Sequence, residues 1–124
     1  MSSLTVLIPA YNEAQVIAHT LQSLKAQTRQ PDQVLVVDDG SSDDTGRIAA
    51  ELGAEVVRPA ANTGSKARAI NFGLDFVETE WMVTLDADTA LAPDALQQIV
   101  DAAQEENASA ACGTVLPQRV RTVW

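Results

Sequence analysis

Short apolar runs, each cut off by acidic or small polar residues and each followed by helical spacing, constrain this chain more than any other feature. Leu4 to Ile8 (LTVLI), closed by Pro9, reads as a buried strand. Val34 to Val37 (VLVV) reads the same way and stops at Asp38-Asp39-Gly40-Ser41-Ser42. Ala54 to Val57 is a shorter third strand, and Trp81 to Leu85 a fourth that ends in Asp86-Ala87-Asp88. Between them, Val16, Ile17, Leu21 and Leu24 recur at helical spacing until Pro31. A second helix is predicted from about Asp43, with Ser42 as N-cap and Gly53 as its end. Ala67, Ile70, Leu74 and Val77 trace a third helical face, after a polar loop from Ala61 to Ser65. Pro93 opens a fourth helix carrying Leu96, Ile99, Val100 and Ala103, and Ala108 to Leu116 is predicted as a fifth strand.

Strands that alternate with helices predict an α/β fold: a doubly wound, mostly parallel sheet with helices on both faces. Right-handed crossovers with a reversal after the third strand give the order 3-2-1-4, plus a further edge strand. Strands one and four then lie side by side at the switch point, where ligands bind beyond the carboxyl ends of the strands. A length of 124 residues makes residues 1–124 a single domain, large enough for one core.

A formal charge of −9 argues against a nucleic-acid backbone as partner, since that needs a basic face. It leaves room for a single nucleotide held by one metal and one or two cations. No apolar segment approaches the ~20 residues needed to span a bilayer, and the first residues lack the form of a signal peptide. The lone Cys112 has no internal disulfide partner and lies far from the one histidine, His19, so it reads as a buried reduced thiol. The expectation is a cytoplasmic, acidic domain.

Three polar constellations carry chemistry. Asp86 and Asp88, one residue apart at a strand end, can point the same way. Two carboxylates there repel unless a cation lies between them, and hard oxygen ligands suit Mg2+ or Mn2+ shared with phosphate oxygens. Asp38 and Asp39 form a doubled acid at a buried strand end, where desolvation is costly without donors, so one of them is predicted to accept hydrogen bonds from a base or ribose. Lys66 and Arg68 lie near a helix start after Gly64, a setting suited to a diphosphate, without the spacing of a P-loop. Tyr11, just after Pro9-Ala10, is expected either in the core or against a nucleobase. Asp86-Ala87-Asp88-Thr89 also looks like the nucleophile motif of haloacid-dehalogenase-type phosphatases. Those place it on their first strand and need a later lysine, whereas here it follows the fourth and no lysine comes after it.

Taken together, the sequence resembles the inverting family 2 glycosyltransferases of GT-A fold. The resemblance rests on Val6-Leu7-Ile8-Pro9-Ala10-Tyr11-Asn12-Glu13, Val36-Val37-Asp38-Asp39-Gly40-Ser41-Ser42-Asp43, Gly64-Ser65-Lys66-Ala67-Arg68-Ala69-Ile70-Asn71 and Leu85-Asp86-Ala87-Asp88, in that order. It implies that Pro9, Ala10, Tyr11 and Glu13 line a nucleotide pocket, and that Asp39, with Asp38, binds the base or ribose of a UDP-sugar. Lys66 would lie near the base or diphosphate with Arg68 beside it. Asp86 would face the ribose or sugar, Ala87 would sit between, and Asp88 would ligate Mn2+ or Mg2+ with Asp86 alongside.

The resemblance also implies a general base on a later acidic motif, which Asp94, Asp101, Glu105 and Glu106 do not match; their expected role is a solvated helix face. The expected function is therefore a metal-dependent glycosyltransferase or its donor-binding half, with the acceptor half absent, in a natural short protein or a piece of a longer one. The alternative is a catalytically silent nucleotide-sugar binding module. Because the family adds strands after residue 116, an exposed sheet edge and a homo-oligomer through it are expected.

Overall fold

A computed structural model of the chain describes residues 3–105 and 115–117. Its elements run β1 (Leu4–Ala10), α1 (Ile17–Lys25), β2 (Gln33–Asp38), α2 (Thr45–Glu51), β3 (Glu55–Val57), α3 (Lys66–Leu74), β4 (Trp81–Thr84), α4 (Ala95–Glu105) and β5 (Val115–Pro117). The sheet has the order β3-β2-β1-β4-β5. β1 pairs in parallel with β2 and β4, β2 with β3, and β5 runs antiparallel to β4. Cys112, Glu106 and most of the predicted fifth strand lie outside the described residues.

Period-two alternation sorts the sheet into two cores. Leu4, Val6, Ile8 and Ala10 of β1 join Val36 and Val83 against α1, α2 and α4, through Ile17, Leu21, Leu24, Ala49, Leu96 and Val100. Leu7, Leu35, Val37 and Met82 face the other way and meet α3 through Ala69. Fully burying one such aliphatic side chain contributes about 1.5–3 kcal/mol, so strands covered on both faces read as continuous apolar runs.

β1 does not stop at Pro9 as predicted but continues to Ala10, opposite Asp38. Leu7 accepts from Leu85 N while Ala10 accepts from Asp39 N, so odd residues of β1 turn their backbone toward β4 and even ones toward β2. The β4 ladder ends at Thr84 opposite Leu7. Pro9 therefore points its missing N–H past the end of β4, where no partner is needed.

Some helical positions differ from expectation. Val16 precedes α1 and is exposed, and Thr20 takes a buried place on the helix instead. Of the predicted α3 face, Ala67 is exposed, while Ile70 and Leu74 pack against the core with buried Val77 just beyond the helix; Ala69 and Gly73 are the residues of α3 that are fully buried. A Cβ on Gly73 would sit 2.8 Å from both Leu7 Cδ1 and Val37 Cγ2, so the close approach of α3 to the sheet requires glycine. α2 begins at Thr45 with Asp44, not Ser42, at the N-cap position, because Ser42 is engaged with Asn12. α4 starts two residues beyond Pro93, where Gln27 Oε1 accepts from Leu96 N.

Candidate functional site

A cavity of about 350 Å³ opens at the carboxyl ends of β1 and β2, floored by Pro9, Ala10 and Asp39 and walled by Asn62, Ser65 and Lys66. Its depth follows from alternation. Asp38 belongs to the α2 face of β2, and Asp39, one residue on, turns to the α3 face where the cavity lies. The doubled acid is thus divided between two faces, each with its own donors.

Asp39 is buried, and its two oxygens accept from Thr63 N at 2.8 Å and Thr63 Oγ1 at 2.7 Å. Asn62 Nδ2 donates to the Asp39 carbonyl at 2.6 Å. Each carboxylate oxygen keeps a second lone pair free for a ligand donor. Gly40 has φ +81°, and a Cβ there would lie 3.2 Å from Asn62 Cβ, so glycine lets the 59–65 loop close over Asp39.

Asp38, by contrast, is fully buried away from the cavity. Its Oδ1 accepts from Ser41 N at 3.1 Å, and Arg58 Nη1 lies 2.9 Å from Oδ2. Arg58 Nη2 also donates to the Ser41 carbonyl at 3.3 Å. Through Ser41 this pair reaches the opposite loop. Asn12 N donates to Ser41 Oγ at 2.8 Å, and Asn12 Oδ1 accepts from Ser42 N at 2.8 Å. Asn12 holds φ 53°, a left-handed conformation that asparagine tolerates. Glu13 N donates to Thr45 Oγ1 at 2.9 Å, and Ala14 N to Asp43 Oδ2 at 3.2 Å. The Thr45 hydroxyl bond, first among several, holds the Asp43 carboxyl below its ordinary value. These bonds latch the β1–α1 loop to the β2–α2 loop and fix Tyr11 and Glu13 on the rim. Tyr11 is 53% exposed there, so it does not pack in the core.

Lys66 opens α3, whose N-cap is Ser65; the Ser65 Oγ accepts from Arg68 N at 3.1 Å. The Lys66 ammonium donates to Asp86 Oδ1 at 2.8 Å. That bond raises the lysine above its ordinary value, with Asp88 and Glu13 adding attraction and partial burial opposing it. Arg68 is not brought to the cavity, since its Nη1 donates to the Thr63 carbonyl at 3.3 Å.

The Asp86-Ala87-Asp88 turn follows β4. Ala87 is buried in the α1-side core, and its carbonyl accepts from Thr20 Oγ1 at 2.6 Å. Anchoring the middle residue inward leaves both carboxylates exposed on the outer side. Among the described residues no three His, Cys, Asp or Glu side chains form a set that could hold a metal alone. Two carboxylates still fit an ion such as Mg2+, which is commonly held by one or two carboxylates plus substrate phosphates. Asp94, just before α4, accepts from Gln98 Nε2 at 2.6 Å, and Asp101 on α4 accepts from Gln97 Nε2 at 2.8 Å, as a solvated helix face does.

Sequence reasoning did not single out Asn62, Thr63, Arg58 or Thr20. The first three lie in or beside an aperiodic loop after β3, and Thr20 lay on a helix face read by its apolar members. The one available signal was a run of small hydrogen-bonding residues (Asn62-Thr63-Gly64-Ser65) directly before Lys66.

Residues 5–123 match the family described as glycosyl transferase family 2. A 4,4'-diaponeurosporenoate glycosyltransferase of Staphylococcus aureus (strain USA300) is 36% identical over 104 residues, covering 80% of this chain and 28% of that protein. Among solved structures, S. aureus TarS 1-349 in complex with UDP-GlcNAc is similar, with a TM-score of 0.75 and 28% identity. That match covers 85% of this chain and 32% of the TarS chain. Mannosyltransferase PcManGT from Pyrobaculum calidifontis, in complex with GDP-Man and Mn2+, matches with a TM-score of 0.74 and 31% identity, over 80% of this chain and 31% of that one. The chain thus spans about a third or less of the length of these relatives. The match takes in Asp86-Ala87-Asp88-Thr89 after the fourth strand, and the phosphatase alternative falls away.

Proposed function

This chain belongs to glycosyl transferase family 2 and has the GT-A arrangement of strands, and from that premise we propose that its cavity binds the nucleoside diphosphate of a UDP-sugar as the donor half of a glycosyltransferase. The observation that carries this reading is the Lys66–Asp86 ion pair on the wall of a cavity that Asp39 floors. Lys66, with Asp39 and Glu13 lining the cavity and Asp86 and Asp88 beside it, supplies what a nucleoside diphosphate and a divalent ion need together.

In this reading Asp39, held by Thr63, accepts from the base or ribose. The exposed Tyr11 ring packs against the base, and Pro9, Ala10 and Glu13 complete the wall. Lys66 contacts the diphosphate from the helix start. Asp86 and Asp88 would hold Mn2+ or Mg2+, with Ala87 fixing their turn. The ion, when bound, neutralises charge building on the departing diphosphate. Asp38 supports this surface from behind through Ser41, and Arg68 braces the 63–65 loop. The single-domain organisation of residues 1–124, a cytoplasmic setting and self-association through a sheet edge belong to the same proposal. They are supported by the single five-stranded sheet, the acidic composition and the edge position of β5.

A second reading, a binding module without transfer, is favoured by Asp94 and Asp101, which bond Gln98 and Gln97 of α4 and do not line the cavity. Calorimetry with UDP-, GDP- and dTDP-sugars in the presence of Mn2+ tests what both share, and UDP-sugars are expected to bind tightest. Native protein that binds none of them would refute both. Donor hydrolysis or transfer that is lost in Asp88→Ala separates the enzyme from the module.

A further inference from the structure

We infer that Lys66 is a place-holder cation, whose ammonium holds Asp86 until a diphosphate draws it away and frees that carboxylate for a divalent ion. The inference rests on the cavity reading given above and adds an order to it: ion and nucleotide bind as a coupled pair.

The Lys66 ammonium lies 2.8 Å from Asp86 Oδ1, and Glu13 and Asp88 are close enough to attract it as well. It therefore stands where a divalent cation would seek its ligands. The backbone of Lys66 is fixed by the Ser65 N-cap, but its side chain is 60% exposed. A flexible four-carbon stem can swing the ammonium from Asp86 toward the cavity that Lys66 already lines. A metal ion arriving alone must displace or tolerate a neighbouring positive charge. A diphosphate offers oxygens to both cations at once and removes that conflict. The coupling is reciprocal, so each ligand raises affinity for the other by the same factor.

The test is a Mn2+ titration of the whole chain followed by electron paramagnetic resonance, with and without UDP, alongside thermal melts that check folding. Lys66→Met is expected to bind Mn2+ alone at least about fivefold more tightly than wild type, given the interaction of unit charges a few ångströms apart near a surface. Its Mn2+–UDP coupling is expected to shrink by a similar factor. Lys66→Arg keeps the charge and is expected to behave as wild type. Arg47→Met, which removes an equal charge from an exposed pairing with Asp44 and Glu51 at α2, is expected to leave Mn2+ affinity unchanged. Equal Mn2+ affinity and equal coupling in wild type and Lys66→Met would overturn the place-holder alone. A gain as large in Arg47→Met would reduce the effect to net charge and overturn it too. A wild-type chain that binds no Mn2+ even with UDP would overturn the cavity reading and this inference with it.

Discussion

Replacing Arg58 with methionine removes the charge that compensates a fully buried carboxylate. Asp38 keeps one neutral donor, Ser41 N at 3.1 Å, and no hydrogen bond reaches its Oδ2 among the described residues. The guanidinium 2.9 Å away is what offsets the desolvation of that oxygen. There is no room for Asp38 to turn aside, because Gly46 lies so close that a Cβ there would be 2.5 Å from Oδ2. Breaking a buried ion pair from one side costs about 3–5 kcal/mol when both partners are enclosed. The Arg58 side chain is 54% exposed, so water enters the vacated space and the expected loss falls to about 2 kcal/mol. For a chain of this size that lowers the melting temperature by roughly 6–12 °C. Urea denaturation followed by circular dichroism measures the loss. A double-mutant cycle with Asp38→Asn then assigns it, since the buried charge is absent in the double variant and part of the stability returns. UDP binding should weaken as well, because Ser41 and hence the Asn12 loop lose their brace. A loss below about 0.5 kcal/mol, or single costs that simply add, would refute the reasoning.

Gly73→Ala gains about 1 kcal/mol of helix propensity but drives a methyl into Leu7 and Val37, an overpacking that costs about 1–3 kcal/mol. Both neighbours are fully buried, so the clash wins, and a thermal melt should fall; a melt that rises would contradict the close approach of α3. Asp43→Asn should destabilise the chain at neutral pH and match wild type in strong acid. Asp43 has its carboxyl lowered from an ordinary 3.8 in the folded state, so its contribution is present above that value and is lost as pH falls through the lower folded value. Chemical denaturation at several pH values checks this, and a stability difference that persists in strong acid would count against the Thr45 bond as its source.

The strand order and the polar ends of the strands were legible because buried parallel strands are short apolar runs bounded by turns, and right-handed crossovers leave few topologies. The misses have particular causes. Gly73 adds nothing to a hydrophobic pattern, yet its lack of a side chain lets α3 approach Leu7 and Val37 closely. Thr20 is polar and still buried, because the Ala87 carbonyl gives its hydroxyl a partner no periodicity reveals. Pro9 marked a strand end only by convention; its missing N–H mattered less once β4 stopped short. Asp38 and Asp39 look alike in sequence, and alternation alone decides that one braces Arg58 and the other floors the cavity. The loop holding Asn62 and Thr63 has no period at all, so its bonds to Asp39 emerged only in three dimensions.

In the reading proposed above, Asp86 and Asp88 bind a divalent ion together with a nucleoside diphosphate. Titrating UDP into the chain by calorimetry, with Mn2+ and with a chelator, for wild type and Asp88→Ala, tests it most directly. Mn2+-dependent binding is expected in wild type and loss of that dependence in Asp88→Ala, with the melting temperature unchanged because Asp88 is exposed. UDP binding that is indifferent to Mn2+ in wild type, or still Mn2+-dependent in Asp88→Ala, would contradict it.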